Sequence, residues 1–376
     1  MIPRSIRSLR YAPFPAAIVI CILVSGPGKR KCGETYLDRK ERRHRIVRIE
    51  FIVLKNAGKA SGIPNHESRT MKELLKKIPF LRSLVQSLRN RIMPLIPDGM
   101  KDRYRAREIL WNRCGQKLDL KLPKTFSQKI QWLKLYYRNP LFTQLADKYS
   151  VRRYVAEKIG EEYLVPLFGV YEAVSEIDFD ALPEKFALKG THGSTWNILC
   201  HDKKQLNWEE AKEKMDRWLH TNFYDYSREW VYKNIKPRIV CEKLLEMPSG
   251  EAMWDYKIFC FNGLPKYIVV DVGRFSEHTR NVYDLEWDLQ PVFYTYPPSS
   301  SPLPKPEQLP KMLELASILS QESPFARIDF YIHEARIYFG EITFYPASGF
   351  MPWRPREFDE TVGQLLKLPD KPWGAS

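Results

Sequence analysis

Three observations predict an α+β fold. Residues 126–159 carry apolar side chains at spacings of three and four, the repeat of helices with one buried face. Beyond residue 165 short strand-like runs dominate, interspersed with helices. Two pairs of those runs read as hairpins, Trp254–Phe261 with Leu264–Val272 and Ala326–Ile332 with Arg336–Phe344. The first is joined by Asn262-Gly263, residues that suit the two-residue turn between right-twisted strands.

The elements follow from the N-terminus. Residues 1–90 hold 20 Lys+Arg against 6 Asp+Glu, and the rest of the chain holds 40 against 39. The formal charge of +15 on 376 residues therefore belongs almost wholly to a basic, poorly defined extension. Such an arm meets an anionic polymer or an anionic leaflet, or it is simply poorly folded. Within it Tyr11–Val24 is a 14-residue uncharged run, shorter than the roughly 20 residues a bilayer-spanning helix needs. Met71–Leu88 fits one amphipathic helix. At 44% hydrophobic and 28% charged, the chain is neither a polytopic membrane protein nor a disordered polyelectrolyte. Cys21, Cys32, Cys114, Cys200, Cys241 and Cys260 form no CxxC pair, which excludes a disulfide scaffold and points to a reducing compartment.

A helical N-terminal region is expected over 91–145, with Phe126–Tyr137 bounded by Pro123 and Pro140. Leu141–Ile159 continues the helical pattern, and Gly160 with Val165–Val170 marks the change to loop and strand. Strands are expected at Lys185–Lys189, Trp196–Cys200 and Arg238–Leu245, with a polar helix over 207–220. The proline-rich stretch 291–310 is a loop, because proline lacks the N–H a strand or helix interior needs. A helix over 309–320 precedes the last hairpin.

That hairpin carries the sharpest chemical signal. With His333-Glu334-Ala335 as the turn, Ile332 faces Arg336, Asp329 faces Phe339 and Arg327 faces Glu341. Alternation then puts Arg327, Asp329, Glu341 and Thr343 on one face, with Asp329 and Glu341 diagonal. Ile328, Phe330, Tyr338 and Ile342 take the core face. Two carboxylates beside an arginine suit Mg²⁺ with phosphate, although an ordinary salt-bridged surface has the same pattern.

In the other hairpin, a two-residue turn pairs Lys257 with Ile268 and Asp271 with Trp254, on opposite faces unless a bulge intervenes. Lys257 is the one expected to touch a ligand, its alternative being a surface pair with Asp255. Arg274, His278 and Arg280 beyond the strand are candidates to meet an acidic acceptor. Upstream, Phe186–Lys189 leads into Gly190-Thr191-His192-Gly193-Ser194, a lysine followed by small residues that let backbone N–H groups approach phosphate. It is not a GxxxxGK[ST] loop.

Taken together, Asp147-Lys148 with Arg152, LPEKFALKGTHGS at 182–194, KPRIVCEKLL at 236–245, WDYKIFCFNGLPKYIVVDVGRF at 254–275 and RIDFYIHEARIYFGEITFYPASG at 327–349 resemble the TupA-like (teichuronopeptide-biosynthesis-like) branch of the ATP-grasp superfamily. The resemblance covers about residues 93–370. It implies two α+β lobes clamping MgATP within 146–370, the smaller about 146–240 and the larger about 241–370. It implies nucleotide-binding roles for Lys148, Lys189, the Thr191–Ser194 loop, Glu242 and Leu244, and Lys257, expected from its own hairpin to touch a ligand, is placed with them. Asp329 and Glu341 match the metal carboxylates and Arg327 the arginine acting on transferred phosphate. Thr343 stands where the superfamily has Asn, so a second metal would be held more weakly.

The reaction implied is carboxylate–amine ligation through an acyl phosphate, joining an amino acid or amine to a carboxylate-bearing bacterial surface polysaccharide or its precursor. A cytoplasmic location with peripheral contact at the inner membrane face accompanies it, with no nucleic acid as partner. A glycosyltransferase is the first alternative, which would need a sugar-nucleotide site, commonly a DxD-type carboxylate pair. A non-catalytic nucleotide- or polyanion-binding protein is the second.

Overall fold

The computed structural model describes residues 96–247, 253–273 and 277–373. The basic extension, Tyr11–Val24, Met71–Leu88, Arg274, Cys21 and Cys32 lie outside the described residues. The chain divides at Met100 into two units, and Lys101–Ser376 is the unit that holds the site below. Among the described residues no helix is long and apolar enough to cross a membrane.

In chain order the helices are α1 (Asp98–Ile109), α2 (Phe126–Tyr136), α3 (Leu141–Ala146), α4 (Val151–Ile159), α5 (Trp208–Leu219), α6 (Tyr224–Ser227), α7 (Leu309–Ser320) and α8 (Phe358–Leu365). The strands are β1 (Leu167–Tyr171), β2 (Phe186–Gly190), β3 (Asn197–Cys200), β4 (Ile239–Lys243), β5 (Asp255–Phe261), β6 (Leu264–Val272), β7 (Thr279–Tyr283), β8 (Phe325–His333) and β9 (Arg336–Thr343). They form two antiparallel sheets, β1-β4-β2-β3 and β7-β6-β5-β8-β9. Strand β4 belongs to the first sheet, so that sheet runs past the 240/241 boundary expected between lobes.

Local chemistry sets the helix limits. Thr125 and Gln128 form a reciprocal capping box at the start of α2. The helical pattern expected over 141–159 is broken at Asp147, whose carboxylate accepts from the Tyr149 N–H at 3.0 Å and the Ser150 hydroxyl at 2.6 Å. Asn207 caps α5 by accepting from Glu210 N–H.

The five-stranded sheet divides the main core. Tyr256, Ile258, Cys260, Ile328 and Phe330 fill one face, on the side where α7 packs. On the other, Phe259, Phe261 and Phe325 gather around Phe126 of α2, with ring centroids 6.4, 5.9 and 4.9 Å away. Beyond this aromatic half the same face becomes charged. Phe126, Ile130, Leu133, Phe142 and Leu145 share the core of the sheet, so the expected N-terminal helical region over 91–145 is packed into the larger body. The four-stranded sheet has its own core, where Phe186, Leu188, Ile239 and Cys241 meet Ala211 and Met215 of α5.

Both long hairpins depart from the expected register in the same way. Between β8 and β9 the turn is only Glu334-Ala335, both left-handed with φ 51° and 60°, and His333 pairs with Arg336. Carried onward, that register would set Glu341 on the face opposite Asp329. A bulge at Gly340 inserts one residue, so Asp329 pairs directly with Glu341, and Arg327 with Thr343. The four residues do share a face, with direct and not diagonal pairing of the carboxylates. Tyr338, paired with Tyr331, also takes their face instead of the core face. Gly340 is held to glycine by crowding, since a Cβ there would lie 3.0 Å from Tyr331 and 3.1 Å from the Asp329 carbonyl.

In β5–β6, Phe261 pairs with Leu264 around Asn262-Gly263, then the register shifts between Phe259 and Cys260. The bulge pairs Lys257 with Val269 and Asp255 with Asp271. Lys257, Asp255 and Asp271 therefore share one face, correcting the expectation that Lys257 and Asp271 oppose each other.

Candidate functional site

Strand β5 lies at the centre of the five-stranded sheet and all seven of its residues are buried. Lys257 on it is 3% exposed, which corrects the reading as a surface pair. Its ammonium contacts Asp255, donates to Asp329 Oδ2 at 3.1 Å and lies 3.7 Å from Asp271 Oδ2. Burial alone would lower its pKa, but Asp255 and Asp329 outweigh that and raise it. One buried ammonium thus lies against three carboxylates of the sheet.

Next to it, Arg327 makes a two-toothed contact with Asp329, Nε to Oδ1 at 2.7 Å and Nη2 to Oδ2 at 2.6 Å. The same Nη2 reaches Glu341 Oε1 at 2.8 Å, and the Thr343 hydroxyl donates to that oxygen at 2.8 Å. Burial pushes the Asp329 carboxyl up, to about 6, against the pull of Arg327 and Lys257. Glu341 moves the other way. Burial raises it, but Lys148, Arg327 and Lys257 outweigh that and hold it at about 2. The two paired carboxyls are therefore unequal, and Glu341 is the firm anion.

Beside this layer, Asp271 is gripped by Arg280 through both oxygens and approached by His278 Nε2 at 3.4 Å. Arg280 also lies over Tyr294 and Tyr296, at 4.4 and 4.9 Å from their ring centroids. The structure commits Arg280 to Asp271, which corrects its expected availability to an acidic acceptor.

The smaller sheet supplies the opposite wall. Lys189 on β2 and Glu242 on β4 share a face, diagonal to each other, and the Lys189 ammonium donates to Glu242 Oε2 at 2.6 Å. Arg152 of α4 donates to Glu242 Oε1 at 3.3 Å and to the Val165 carbonyl at 2.9 Å. Lys148, set between α3 and α4 by the Asp147 cap, donates to the Gly193 carbonyl at 2.7 Å and lies 4.0 Å from Glu341 Oε2. That approach links the two sheets' charged faces. Leu244 is buried just beyond the end of β4.

The Gly190–Ser194 loop is less open than its composition suggests. Thr191, His192 and Gly193 are buried, and a Cβ on Gly193 would meet the Trp196 ring at 2.6 Å. His192 Nε2 is 2.8 Å from the Trp218 carbonyl, and its ring lies edge-on to Trp196. The Thr191 hydroxyl is buried without a hydrogen-bond partner. Only Ser194 of the loop's named side chains is half-exposed.

The donor set tests whether Mg²⁺ belongs here. Among the described residues no group of three or more His, Cys, Asp or Glu side chains is placed to hold a metal. Asp329 and Glu341 present two paired carboxylates with a neighbouring hydroxyl, all oxygen. Mg²⁺ is commonly held by one or two carboxylates together with substrate phosphates, so this set fits it in that mode. Both Asp329 oxygens already accept from Arg327, which leaves Glu341 Oε2 the more accessible donor.

Sequence reasoning missed Asp255 as a member of this layer. Its signal is Asp-x-Lys inside a strand whose other residues are apolar or aromatic, since charges there must pair to be buried. A second polar group was missed too. Glu229 accepts from the Ser348 hydroxyl at 2.7 Å, while Lys134 donates to the Ser348 carbonyl at 2.9 Å. Burial raises Glu229 to about 7 and lowers Lys134 to about 8.

Two antiparallel sheets, each with its own core, and a lysine between two helices that reaches both the Gly193 carbonyl and Glu341 define an α+β nucleotide-clamping architecture of the ATP-grasp type. The model of the TupA-like ATPgrasp family matches residues 128–367, and the chain belongs to that family. No curated protein matches it. Among solved structures it is similar to D-alanine–D-alanine ligase from Bacillus anthracis complexed with ATP (12% identity, TM-score 0.32, covering 58% of this chain and 55% of that one). An L-amino acid ligase from Bacillus licheniformis gives 14% identity and TM-score 0.36, over 61% of this chain and 53% of that one. D-alanine–D-alanine ligase from Helicobacter pylori gives 13% and 0.36, over 66% and 68%. The chain thus spans little more than half the length of the first two.

Proposed function

We propose that this chain is an ATP-dependent carboxylate–amine ligase that joins an amino acid or amine to a carboxylate-bearing cell-surface polysaccharide or its precursor. The observation that carries the reading is the charge layer in which Arg327 bridges Asp329 and Glu341, with Lys148, just before α4, 4.0 Å from Glu341. In this reading Lys148 and Lys189 bind nucleotide phosphates, and Glu242, Leu244 and the end of β4 line the adenine side. The Thr191–Ser194 loop covers the phosphates, and Lys257 balances the acidic floor. Asp329 and Glu341, with Thr343 beside them, hold Mg²⁺, which when bound neutralises phosphate oxygens.

The residues divide the work by charge. A substrate carboxylate oxygen forms a bond to the γ-phosphorus while the bond to ADP breaks, and Arg327 stabilises the charge moving onto the transferred group. An amine nitrogen then bonds to the acyl carbon as phosphate leaves. Activation is required because oxide is a prohibitive leaving group and phosphate is a good one. The enclosing lobes exclude water from the acyl phosphate, which hydrolysis would waste. Such chemistry belongs in an ATP-containing compartment, so a cytoplasmic protein touching the inner membrane face is part of the same proposal.

Calorimetric titration with MgATP tests the nucleotide assignment, and a preference for a UDP-sugar would overturn it. An acceptor screen recording ADP release together with product mass tests the reaction. An amide-linked product is expected, and ADP without one would indicate phosphotransfer.

A further inference from the structure

Helix α1 has two unlike sides beyond Met100. On the inner one Asp102, Ala106, Leu110 and Cys114 recur every fourth residue and are buried. Asp102 fixes this side to the body, accepting from Arg228 Nε at 2.6 Å and from the Tyr224 hydroxyl at 3.1 Å. The helix runs on into a π-helical turn, Leu110–Cys114, which ends at Gly115 with φ 66°. Such wide turns are rare and recur at functional sites.

The outer side carries the unusual chemistry. Tyr104 is 40% and Trp111 56% exposed, and a spacing of seven sets them on one helix face. Around them Arg103, Arg105, Arg107 and Arg113 are exposed, and Glu108 is the one exposed acid between 103 and 113. Glu108 lies 3.8 Å from Arg105, whereas Arg107 and Arg113 enter no ion pair among the described residues. The bias is regional. Residues 101–124 hold 8 Lys+Arg against 3 Asp+Glu, while 125–376 hold 31 against 35.

Aromatic rings held in water between arginines match a helix lying at a bilayer surface. There the rings take the headgroup level and the guanidinium groups reach lipid phosphates. The side of a helix is convex and has no cleft to enclose a sugar or peptide, but it lies well on a flat partner. The uncharged run Tyr11–Val24, set in a segment of 20 Lys+Arg against 6 Asp+Glu, favours lipid over nucleic acid, because an apolar run gains nothing on a polyanion. We propose that the outer face of α1 and its π-helical turn docks on an anionic bilayer, with Tyr104 and Trp111 in the headgroup layer and Arg107 and Arg113 on lipid phosphates. This gives a surface to the membrane contact proposed above and rests on that reading for the leaflet involved; the docking itself requires no ligation.

Co-sedimentation of the full chain with phosphatidylglycerol–phosphatidylcholine vesicles tests it, and binding to these but not to phosphatidylcholine alone is expected. The basic extension also attracts anionic vesicles by its charge, so the position of Trp111 is read separately. Brominated acyl chains should quench part of the tryptophan fluorescence. Trp111→Phe, which keeps an aromatic ring in place, should remove most of that quenching. Arg107→Glu combined with Arg113→Glu should weaken vesicle binding roughly tenfold or more, with an unchanged thermal midpoint because both side chains are exposed. Equal quenching in the wild type and Trp111→Phe, or undiminished binding by the double charge reversal, would overturn the proposal. Tighter binding of polygalacturonate or duplex DNA than of the vesicles would overturn it too. MgATP titration keeps the two readings apart: docking without nucleotide binding would retain this surface and remove the ligase, and nucleotide binding without docking would do the reverse.

Discussion

Glu341 and Asp329 stand opposite each other on neighbouring strands, yet burial, Arg327, Lys257 and Lys148 give them different acidities. Glu341→Gln keeps size and removes the firm anion. ADP formation should fall roughly a hundredfold or more, far more than the thermal stability falls. Asp329→Asn should act in the same direction, and the double variant should lose less than the sum, because one arginine couples both positions. Initial ADP-release rates at saturating ATP measure all three, and near-wild-type rates would move the metal site elsewhere. Lys257 behaves differently. Lys257→Met leaves three buried carboxylates short of their shared cation, so unfolding free energy in urea should drop by about 3–5 kcal/mol. The residue types of this layer were legible because Arg-x-Asp and Glu-x-Thr repeat at strand period. Its depth was legible only in part: the apolar and aromatic neighbours of Asp255 and Lys257 on the strand signal burial, but nothing local says which carboxylates of the neighbouring strands Lys257 meets.

At the scale of elements, the hairpins explain why sequence reading found the right face through the wrong pairs. A three-residue turn without a bulge and a two-residue turn with one bulge give the same facing for Arg327, Asp329, Glu341 and Thr343. Glu334-Ala335 hid the shorter turn, since neither residue is the Gly or Asn that a left-handed pair usually recruits. In β5–β6 the Asn-Gly turn was legible and the bulge beyond it was not, which is why Asp271 was put on the wrong face. Deleting Gly340 removes the extra residue and so should leave Glu341 paired with Asp329 in an unbroken ladder. ADP formation should persist in a chain that circular dichroism reports as folded, and its loss would show that the bulge itself shapes the site. The strand edge also carries an acid sensitivity. Arg280 and Lys257 outweigh burial and hold Asp271 well below the usual carboxylate range. Its folded pKa lies below its unfolded one, so this contribution is complete above about pH 4 and is lost as pH falls below that. Urea midpoints measured from pH 7 down to 2 should decline on the acid side, and Asp271→Asn should flatten that decline from a lower starting value.

For the whole molecule, the charge division at residue 90 and the structural division at Met100 nearly coincide. A chain starting at Arg91 should fold and retain ATP turnover, and loss of either on truncation would give the basic extension a part in the nucleotide site. Lys101–Ser376 itself is nearly balanced in charge, and its site follows the same rule at short range. Lys189 is already matched by Glu242, Lys148 by a carbonyl and the edge of Glu341, and Arg327 by two carboxylates. A nucleotide bound as proposed would displace internal partners instead of meeting bare cations. Its association is then an exchange of counterions held by the protein itself, and added salt should weaken it far less than it weakens binding to an open basic surface.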